Sequence, residues 1–566
     1  MRGPTMTPSA ELAIVNADVL TMAAHGQGAS ASDAVAVASG RILAVGKDAV
    51  PEVIGPDTTV IDARGGAVVP GINDSHLHFT AAAMAAFGYI PVDPAAAPDW
   101  TALASVIERA QPGEDGWIRA RGWDDALIGP ATGQLLSVRP EVPVVAFDAT
   151  GHRLVVNREA LRRVGVTSST APPIGGVIGR DADGELTGLL QDGAMELVNA
   201  ALPPVPRSVL RDAMLAMQRH LHAQGITSLT EPGLGPASAG LLDGSGSTAA
   251  LRLLGDLALA RDLTLRTTVL LLFSGTGGAD AASVEAGLAS GLAAEYSDRG
   301  IDPALLRIAG VKVFADGIPR SGTAWMAEPY GDHCTRGSLV VVGRSEEERV
   351  AELGRILEVI DRAGLQAGIH ATGDAATEAA VEALIRGTDA ASRRHYIIHG
   401  AFSSHRTIER MAASGIGYST NPLIRHGAGE AMRRLLGEER FGRHQPLRSA
   451  SKAGVRFTLA SDAPVASTDW RETVIAAVRR GTRATPGADR DPERISGRQA
   501  LRAMTADASW QDHAEHLKGR IAPGMAADLC ILSHPWPNDD VIEDLLESDI
   551  VLTLAAGLPV HERALL

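Results

Sequence analysis

The sequence has little cysteine. Only Cys334 and Cys530 occur among the 566 residues, and they lie far apart along the chain. Two cysteines cannot build the disulfide framework of a small secreted domain or a zinc site with several cysteine ligands. The composition therefore fits a protein of the reducing cytoplasm.

Long apolar segments are also missing from the sequence. It contains no stretch of about 18 apolar residues, the length that a helix needs to cross a bilayer. Residues 1–11 contain no apolar segment followed by a small-residue cleavage site, which a secretory signal would have. We expect a protein that is neither exported nor embedded in a membrane.

Positive charge is scarce as well. Lysine and arginine number 52 against 67 acidic residues, which gives a formal net charge of -15 and a pI of about 5.6. Binding to nucleic acid irrespective of its sequence requires a positive surface that displaces counterions from phosphates. We therefore expect a small-molecule partner and no nucleic acid. The four lysines are Lys47, Lys312, Lys452 and Lys518, so the position of each is informative.

Short strand-like runs separated by Gly, Asp and Pro occur at both ends of the chain. They fill residues 1–67, and residues 511–566 repeat the pattern. We expect these two segments to pair into one β-sandwich beside the part of the chain that lies between them.

Residues 68–510 alternate apolar strand-like runs with longer amphipathic segments, which is typical of βα units and a parallel sheet. The candidate strands are 68–78, 226–231, 263–273, 306–316, 366–370, 396–399, 416–419 and 456–462. Eight such units predict an α/β fold with a closed (β/α)₈ barrel. The gap after the first strand is too long for one crossover helix, so residues 80–220 are predicted to hold an inserted subdomain.

The segment Asp74-Ser-His76-Leu-His78 ends the first predicted barrel strand. Residues i and i+2 of a strand point to the same side, so both imidazoles can reach one ion. A His-x-His pair by itself is as compatible with chance as with a site. Its position at the carboxyl end of a barrel strand, where such enzymes build their active sites, favours metal binding.

Lys312 lies between two valines in the fourth predicted barrel strand. Both faces of such a strand are dry, and a buried ammonium has to be paired or neutralised. Three outcomes stay open: an ion pair with a carboxylate such as Asp316 or Asp462, a lowered pKa, or reaction of the neutral amine with CO₂. The last gives a carbamate, an anionic ligand able to bridge two metals.

Three more polar residues end predicted barrel strands: His370, His399 and Asp462. A single strand-terminal histidine is more often part of the core, and a single aspartate more often caps a helix. Two histidines on successive strands, in phase with the His-x-His pair, are harder to explain in that way. Together the nitrogen and oxygen ligands suit Zn²⁺, Mn²⁺ or Fe²⁺, with zinc as the default.

The order His-x-His, Lys, His, His, Asp on successive strands resembles the amidohydrolase superfamily. The segments PGINDSHLHF at 70–79, SDAP at 461–464 and GRIAPGMAADL at 519–529 are similar to amidohydrolase family 3, whose members include N-substituted formamide deformylase. The likeness extends over essentially the whole chain. It implies a barrel with a β-sandwich and a metal-dependent hydrolase.

The resemblance also implies a binuclear centre bridged by a carboxylated Lys312. One ion would be bound by His76, His78 and Asp462 and the other by His370 and His399, and a hydroxide shared by the two metals would be the nucleophile. Asp462 would act first as general base and then as general acid toward the leaving amine. The implied reaction is hydrolysis of a carbon–nitrogen bond in an amide, N-formyl or cyclic amide compound.

A fold and a metal site do not determine which bond is broken. Deamination, ester hydrolysis, isomerisation or decarboxylation at the same site is therefore the alternative. A mononuclear site would follow if Lys312 is not carboxylated. A metal-free regulatory protein is disfavoured, because none of the six ligands is missing. Relatives often pair, so a homodimer is an expectation.

Six further residues are candidates for substrate contacts, and the two arginines among them could bind a substrate carboxylate or pair with the abundant acids. These residues are Trp123, His152, Arg320, Trp325, Tyr330 and Arg425. The inserted subdomain is the candidate for substrate specificity.

Overall fold

The computed structural model describes residues 9–23, 32–173, 175–331, 335–485, 487 and 491–563. Cys334 lies outside these residues, whereas Cys530 is a buried free thiol. No helix in the described part of the chain is both long and apolar enough to span a membrane.

Eight parallel strands form a barrel at the centre of the structure, and we number them barrel strands 1 to 8 in chain order. Their bounds are Ile72–Asp74, Ile226–Leu234, Arg266–Leu271, Leu306–Phe314, Gln366–Ala371, Tyr396–His399, Gly417–Thr420 and Phe457–Leu459. The predicted (β/α)₈ fold is confirmed, and each strand overlaps one of the eight predicted runs.

Backbone hydrogen bonds join the segments that follow barrel strands 8 and 1. The amide of Asp462 donates to the carbonyl of His76 at 2.8 Å, and that of His78 donates to the carbonyl of Ala463 at 2.9 Å. The amide of Ser461 also donates to the Asp74 carboxylate at 3.1 Å. The first and last predicted ligands are therefore held side by side.

The run predicted as one strand over residues 68–78 is two strands. Ala67–Pro70 belongs to the sandwich, and barrel strand 1 begins at Ile72. Gly71 lies between them, where a Cβ would come within 2.1 Å of the Thr227 hydroxyl oxygen. The absence of a side chain lets the chain pass from one sheet to the other against barrel strand 2.

Helices follow most barrel strands and cover the barrel. A representative one is Glu346–Arg362, which the Ser345 side chain caps and whose first turn carries three glutamates that favour the positive end of the helix dipole. Four α-helices pack in the cores of the insert instead, namely Trp100–Arg109, Asp125–Ile128, Arg158–Val164 and Glu196–Asn199. The other α-helices of the described residues are Phe79–Phe87, Arg207–Ala223, Thr248–Leu259, Ala281–Ala289, Glu295–Asp298, Asp374–Gly387, Ala390–Arg393, His405–Ala413, Pro422–Gly442, Leu447–Ala453, Trp470–Arg479, Gly497–Ala503 and Ala506–Gln511.

Both ends of the chain contribute to a β-sandwich. One sheet has the order Arg41–Val45, Val35–Ala38, Leu12–Val15 and Thr59–Asp62, and the other has the order Asp18–Val19, Ala67–Pro70, Leu529–Leu532, Ile550–Ala555 and Leu558–Glu562. Side chains of the two sheets share one apolar core, in which Ile14 and Val37 pack with Val68, Leu529 and Leu552.

A separate sheet lies within the predicted insert between barrel strands 1 and 2. Its strands have the order Gly176–Arg180, Leu186–Asp192, Arg153–Val156, Val144–Asp148, Ile118–Trp123 and Ile90–Pro91. Apolar side chains pack against both faces of this sheet, so the insert has cores of its own. The domain boundaries at residues 67 and 510 stay predictions.

A buried ion pair ties the segment after helix Ala506–Gln511 to the barrel. The Lys518 ammonium donates to the Asp512 carboxylate at 2.7 Å. The same carboxylate accepts hydrogen bonds from Asn73 of barrel strand 1 at 2.7 Å and from Thr230 of barrel strand 2 at 3.0 Å. Because these groups are buried, the carboxylate depends on its partners for compensation.

The substitution Lys518→Ala is expected to lower the free energy of unfolding by about 3–5 kcal/mol, because it leaves the buried Asp512 carboxylate without its cation. Urea unfolding followed by circular dichroism measures the change. Lys452→Ala removes an exposed lysine and serves as the matched control. An unchanged unfolding midpoint in Lys518→Ala would contradict the role of the ion pair.

Candidate active site

The six predicted metal ligands come together at the carboxyl end of the barrel. Two follow barrel strand 1, three lie in strands 4, 5 and 6, and one follows strand 8. These residues are His76, His78, Lys312, His370, His399 and Asp462. His399 is half-buried and the other five are buried.

His76, His78 and Asp462 form the tightest part of the cluster. One carboxylate oxygen of Asp462 lies 3.2 Å from His76 Nε2 and 3.5 Å from His78 Nε2. One ligand atom from each of the three residues lies within 4.8 Å of the others. Nδ1 of His76 is buried without any hydrogen-bond partner, and Nε2 is buried with only the Asp462 carboxylate beside it. Buried polar atoms are normally paired, so a cation that binds here would supply the missing interaction.

His370 and His399 extend this cluster across the barrel mouth. The ring centroids of His76 and His399 are 5.5 Å apart, and those of His399 and His370 are 4.7 Å apart. Nδ1 of His399 donates to the Asn421 side-chain oxygen at 2.8 Å, which leaves the lone pair on Nε2. The histidines therefore form one continuous row of candidate ligands.

Lys312 lies in the middle of this row with its ammonium shielded from water. The residue is 1 % exposed, and Nζ lies 4.8 Å from the centroid of the Phe314 ring. No ion pair joins it to a carboxylate within the residues that the structure describes. Burial lowers the pKa of Lys312 to about 7, against the opposing charges of Asp462 and Glu231. A substantial fraction of the amine is therefore neutral near pH 7.

The protonation states of His76, His399 and Asp462 suit metal ligation. For His78, burial is outweighed by the hydrogen bonds and charges of Asp462 and Glu231, which raise its pKa. Burial, followed by the charge of Lys312, holds the pKa of His76 well below its usual range, and burial lowers the pKa of His399 to about 4. Burial acts in the opposite direction on Asp462, but the rings of His76 and His78 outweigh it and hold its pKa well below the usual range. Neutral imidazoles and an ionised carboxylate are the forms that bind metal ions.

Two of the candidate ligands have a strained backbone. His399 has a φ of 67° and Asp462 a φ of 60°, in the left-handed region that few non-glycine residues adopt. Such strain costs on the order of 1–3 kcal/mol and persists where the surroundings hold it, often at functional sites. His399 ends a barrel strand and Asp462 follows one, so the left-handed backbone conformation changes the direction of each side chain at the rim of the barrel.

Two residues that support the ligands were not among the sequence candidates. Glu231 in barrel strand 2 is 2 % exposed and lies 3.8 Å from His78 Nδ1. Asn421 follows barrel strand 7 and accepts the His399 hydrogen bond, while its amide donates to the carbonyl of Ala460 at 3.1 Å. A polar residue near the carboxyl end of an apolar strand was the available signal for both.

A cavity of about 110 Å³ opens beside the cluster. Three candidate ligands lie in its wall, namely His370, His399 and Asp462. Two of the six predicted substrate contacts, His152 and Arg320, line it as well. The inserted subdomain supplies His152, so the insert forms part of the wall.

The other four predicted substrate contacts do not line this cavity. Trp123 is fully buried in the insert core, where its indole donates to the carbonyl of Ala146 at 2.9 Å. Trp325 and Tyr330 are also buried, and the Tyr330 hydroxyl donates to the carbonyl of Ala324 at 2.7 Å. Arg425 is buried against Asp491 and backbone carbonyls. Their side chains thus serve packing in this structure.

Comparison with known proteins identifies the family. Residues 59–561 match the profile described as amidohydrolase family. The chain belongs to the amidohydrolase family. Membership makes it a hydrolase of a metal-dependent family that acts on small molecules.

Several relatives match over nearly the whole length of this amidohydrolase. It is similar to N-substituted formamide deformylase of Arthrobacter pascens, with 29% identity over 99% of each chain. It is also similar to Protein LONG AFTER FAR-RED 3 of Arabidopsis thaliana, with 28% identity over 94% of this chain and 88% of the relative. An uncharacterized metal-dependent hydrolase from Pyrococcus horikoshii has the same fold, with a TM-score of 0.71, 21% identity and coverage of 94% and 99%.

In this amidohydrolase, Glu231→Gln is expected to weaken metal binding by about 10–100-fold, because it removes the charge that faces the outer nitrogen of His78. Competition between the protein and a chelator for zinc measures the affinity. Glu285→Gln makes the same change at an exposed helix position and serves as the control. Equal affinities of the two variants would contradict a supporting role for Glu231.

Proposed function

We propose that this protein hydrolyses a carbon–nitrogen bond of a small amide, N-formyl or cyclic amide compound with the help of two divalent metal ions. The observation that carries the proposal is the buried row of histidines beside the Asp462 carboxylate at the barrel rim, in which Nδ1 of His76 lacks a partner. The match to the amidohydrolase family supports the reaction class. The relative from Arthrobacter pascens supports an N-formyl compound as one candidate substrate.

The described residues divide into two ligand sets. His76, His78 and Asp462 would hold one ion, and His370 and His399 would hold the other. Zinc fits this set of imidazole and carboxylate ligands. When bound, the ions would lower the pKa of a water molecule and polarise the scissile carbonyl.

Lys312 is proposed to join the two ligand sets as a carbamate. Its neutral amine would attack CO₂, form a nitrogen–carbon bond and release one proton, which leaves one negative charge on the new carboxylate. Burial favours this chemistry because it depresses the pKa of the amine to about 7. An anionic group at this position would also remove the repulsion between a lysine cation and bound metal ions.

Asp462 is proposed to move the proton during hydrolysis. Its carboxylate is ionised and lies beside His76 and His78, at the cavity wall. It would accept a proton from the attacking water and then deliver that proton to the leaving nitrogen. The net reaction converts an amide and water into a carboxylic acid and an amine.

His152 is proposed to bind the carbonyl oxygen of the substrate from the part of the cavity wall that the insert supplies. Its Nδ1 lies 2.9 Å from the Asp192 carboxylate, which orients the ring. Burial opposes protonation, but the hydrogen bond and charge of Asp192 outweigh it and raise the pKa of His152. The protonated ring has a second N–H, which would donate to the oxygen as negative charge grows there.

Protein purified without chelator is expected to contain about two metal ions per chain, and Lys312→Ala to lose a marked share of them, since the bridge between the two sets is removed. Inductively coupled plasma mass spectrometry measures the content. Lys47→Ala, at an exposed position, is the control. One ion per chain that survives the substitution would contradict the bridge.

A screen for released amine, formate or ammonia tests the reaction.

His152→Ala is expected to lower kcat by about 10²–10³-fold on any amide that the screen identifies, because one donor to the carbonyl oxygen is lost. Metal content should not change. His405→Ala, at an exposed position, is the control. A variant with raised KM and unchanged kcat would contradict this role and indicate ground-state binding alone.

The zinc identity, the cytoplasmic location and the homodimer stay predictions.

A further inference from the structure

One helix presents an apolar stripe to the cavity. Ile424, Ala428 and Met432 are spaced four residues apart along helix Pro422–Gly442, and all three line the cavity. Residues with this spacing lie on the same helical face. Ile318 and Val465 extend the apolar wall from other segments.

The arginines near this wall are already engaged. Arg320 donates to Asp124 at 3.3 Å and to Asp125 at 2.9 Å, so two carboxylates offset its charge. Arg425 turns away from the cavity, where it donates to the carbonyl of Arg480 at 3.1 Å and to Asp491 at 3.1 Å. Both guanidinium groups are therefore paired with carboxylates of this chain, which is one of the two outcomes that the sequence left open.

Two polar residues beside the stripe, His444 and Gln445, carry no charge. Burial, followed by the charges of Arg425 and Arg480, holds the pKa of His444 well below its usual range. The Gln445 amide donates to the carbonyl of Asn421 at 2.6 Å. Among the residues that the structure describes, no other lysine or arginine lines the cavity.

We infer that the site selects uncharged amides that carry an apolar chain or ring, and that Ala428 limits the size of this group. The inference rests on the proposed function and names its substrate class. A cavity of about 110 Å³ is of the same order as the apolar cavity of about 150 Å³ that binds benzene. Ala428 lies at the middle of the stripe, between two larger side chains, so its small size leaves room for the substrate.

A series of neutral N-alkylformamides of increasing chain length tests the inference on the metal-loaded protein. Each member is paired with an analogue of equal length that ends in a carboxylate. We expect kcat/KM to rise about fourfold for each methylene that fits, because each buries further apolar surface. The carboxylate should lower kcat/KM by about 100-fold or more where it lies against the apolar stripe, because Ile424, Ala428 and Met432 offer no cation to pair with it.

Two substitutions alter the stripe in opposite directions. Ala428→Leu should lower kcat/KM for the longest neutral chain that the native protein accepts by about 10-fold or more, and leave the shortest nearly unchanged. Met432→Ala should extend the accepted length. Ala431→Leu makes the same change on the same helix at a position outside the cavity wall and serves as the control. Thermal unfolding of each variant verifies the fold.

Equal kcat/KM for neutral and carboxylate-bearing members, or the same length limit in all variants, would overturn the inference while hydrolysis upholds the proposed function. If no formamide is hydrolysed, calorimetry of the neutral series still tests whether the pocket binds apolar groups. Saturable binding that Ala428→Leu weakens for the longer chains and Ala431→Leu preserves would support the apolar site and count against formamide hydrolysis. Absence of binding would overturn the apolar site.

Discussion

Burial of polar ligand side chains at one rim of the barrel is the constraint on which the other features of the structure depend. Imidazoles, a carboxylate and a lysine are withdrawn from water within a few ångströms of one another. Their charges and lone pairs must then be satisfied locally, since desolvation is costly. The unpartnered Nδ1 of His76 and the depressed pKa of Lys312 both reflect this requirement. A family of metal-dependent hydrolases meets it with cations.

The surrounding scaffold holds the ligands in place at some cost in backbone strain. Hydrogen bonds between the segments after barrel strands 8 and 1 bring Asp462 beside His76. Glu231 and Asn421 face the outer nitrogens of His78 and His399. Such partners hold a ring at a fixed angle and on one tautomer, so that the lone pair faces the site. The positive φ angles of His399 and Asp462 persist because packing on several strands determines them.

The cavity has one wall of ionisable side chains and one wall of apolar side chains. Ionisable groups are concentrated on the barrel side, whereas the helix Pro422–Gly442 supplies an apolar wall. The insert contributes His152 from a third direction, oriented by Asp192. The proposed catalytic groups and the proposed selectivity thus come from different segments of the chain, which is how one barrel can serve many substrates by changes outside its strands.

Hydrophobic periodicity and the residues at strand ends determined much of this protein in advance. Eight strands, the paired terminal segments and six candidate ligands follow from local pattern, because a barrel strand must be apolar along its length and its functional residues lie at its carboxyl end. The resemblance to a family added their division between two metals.

Only the tertiary structure decided which polar residues face the cavity. Trp123 and Arg425 were candidates for substrate contact on the same grounds as His152. In the structure, Trp123 is buried in the core of the insert and Arg425 is buried against Asp491. The partners of Arg320 lie about two hundred residues away in sequence. The direction of a side chain on a loop or insert depends on such distant contacts, and local pattern contains no information about them.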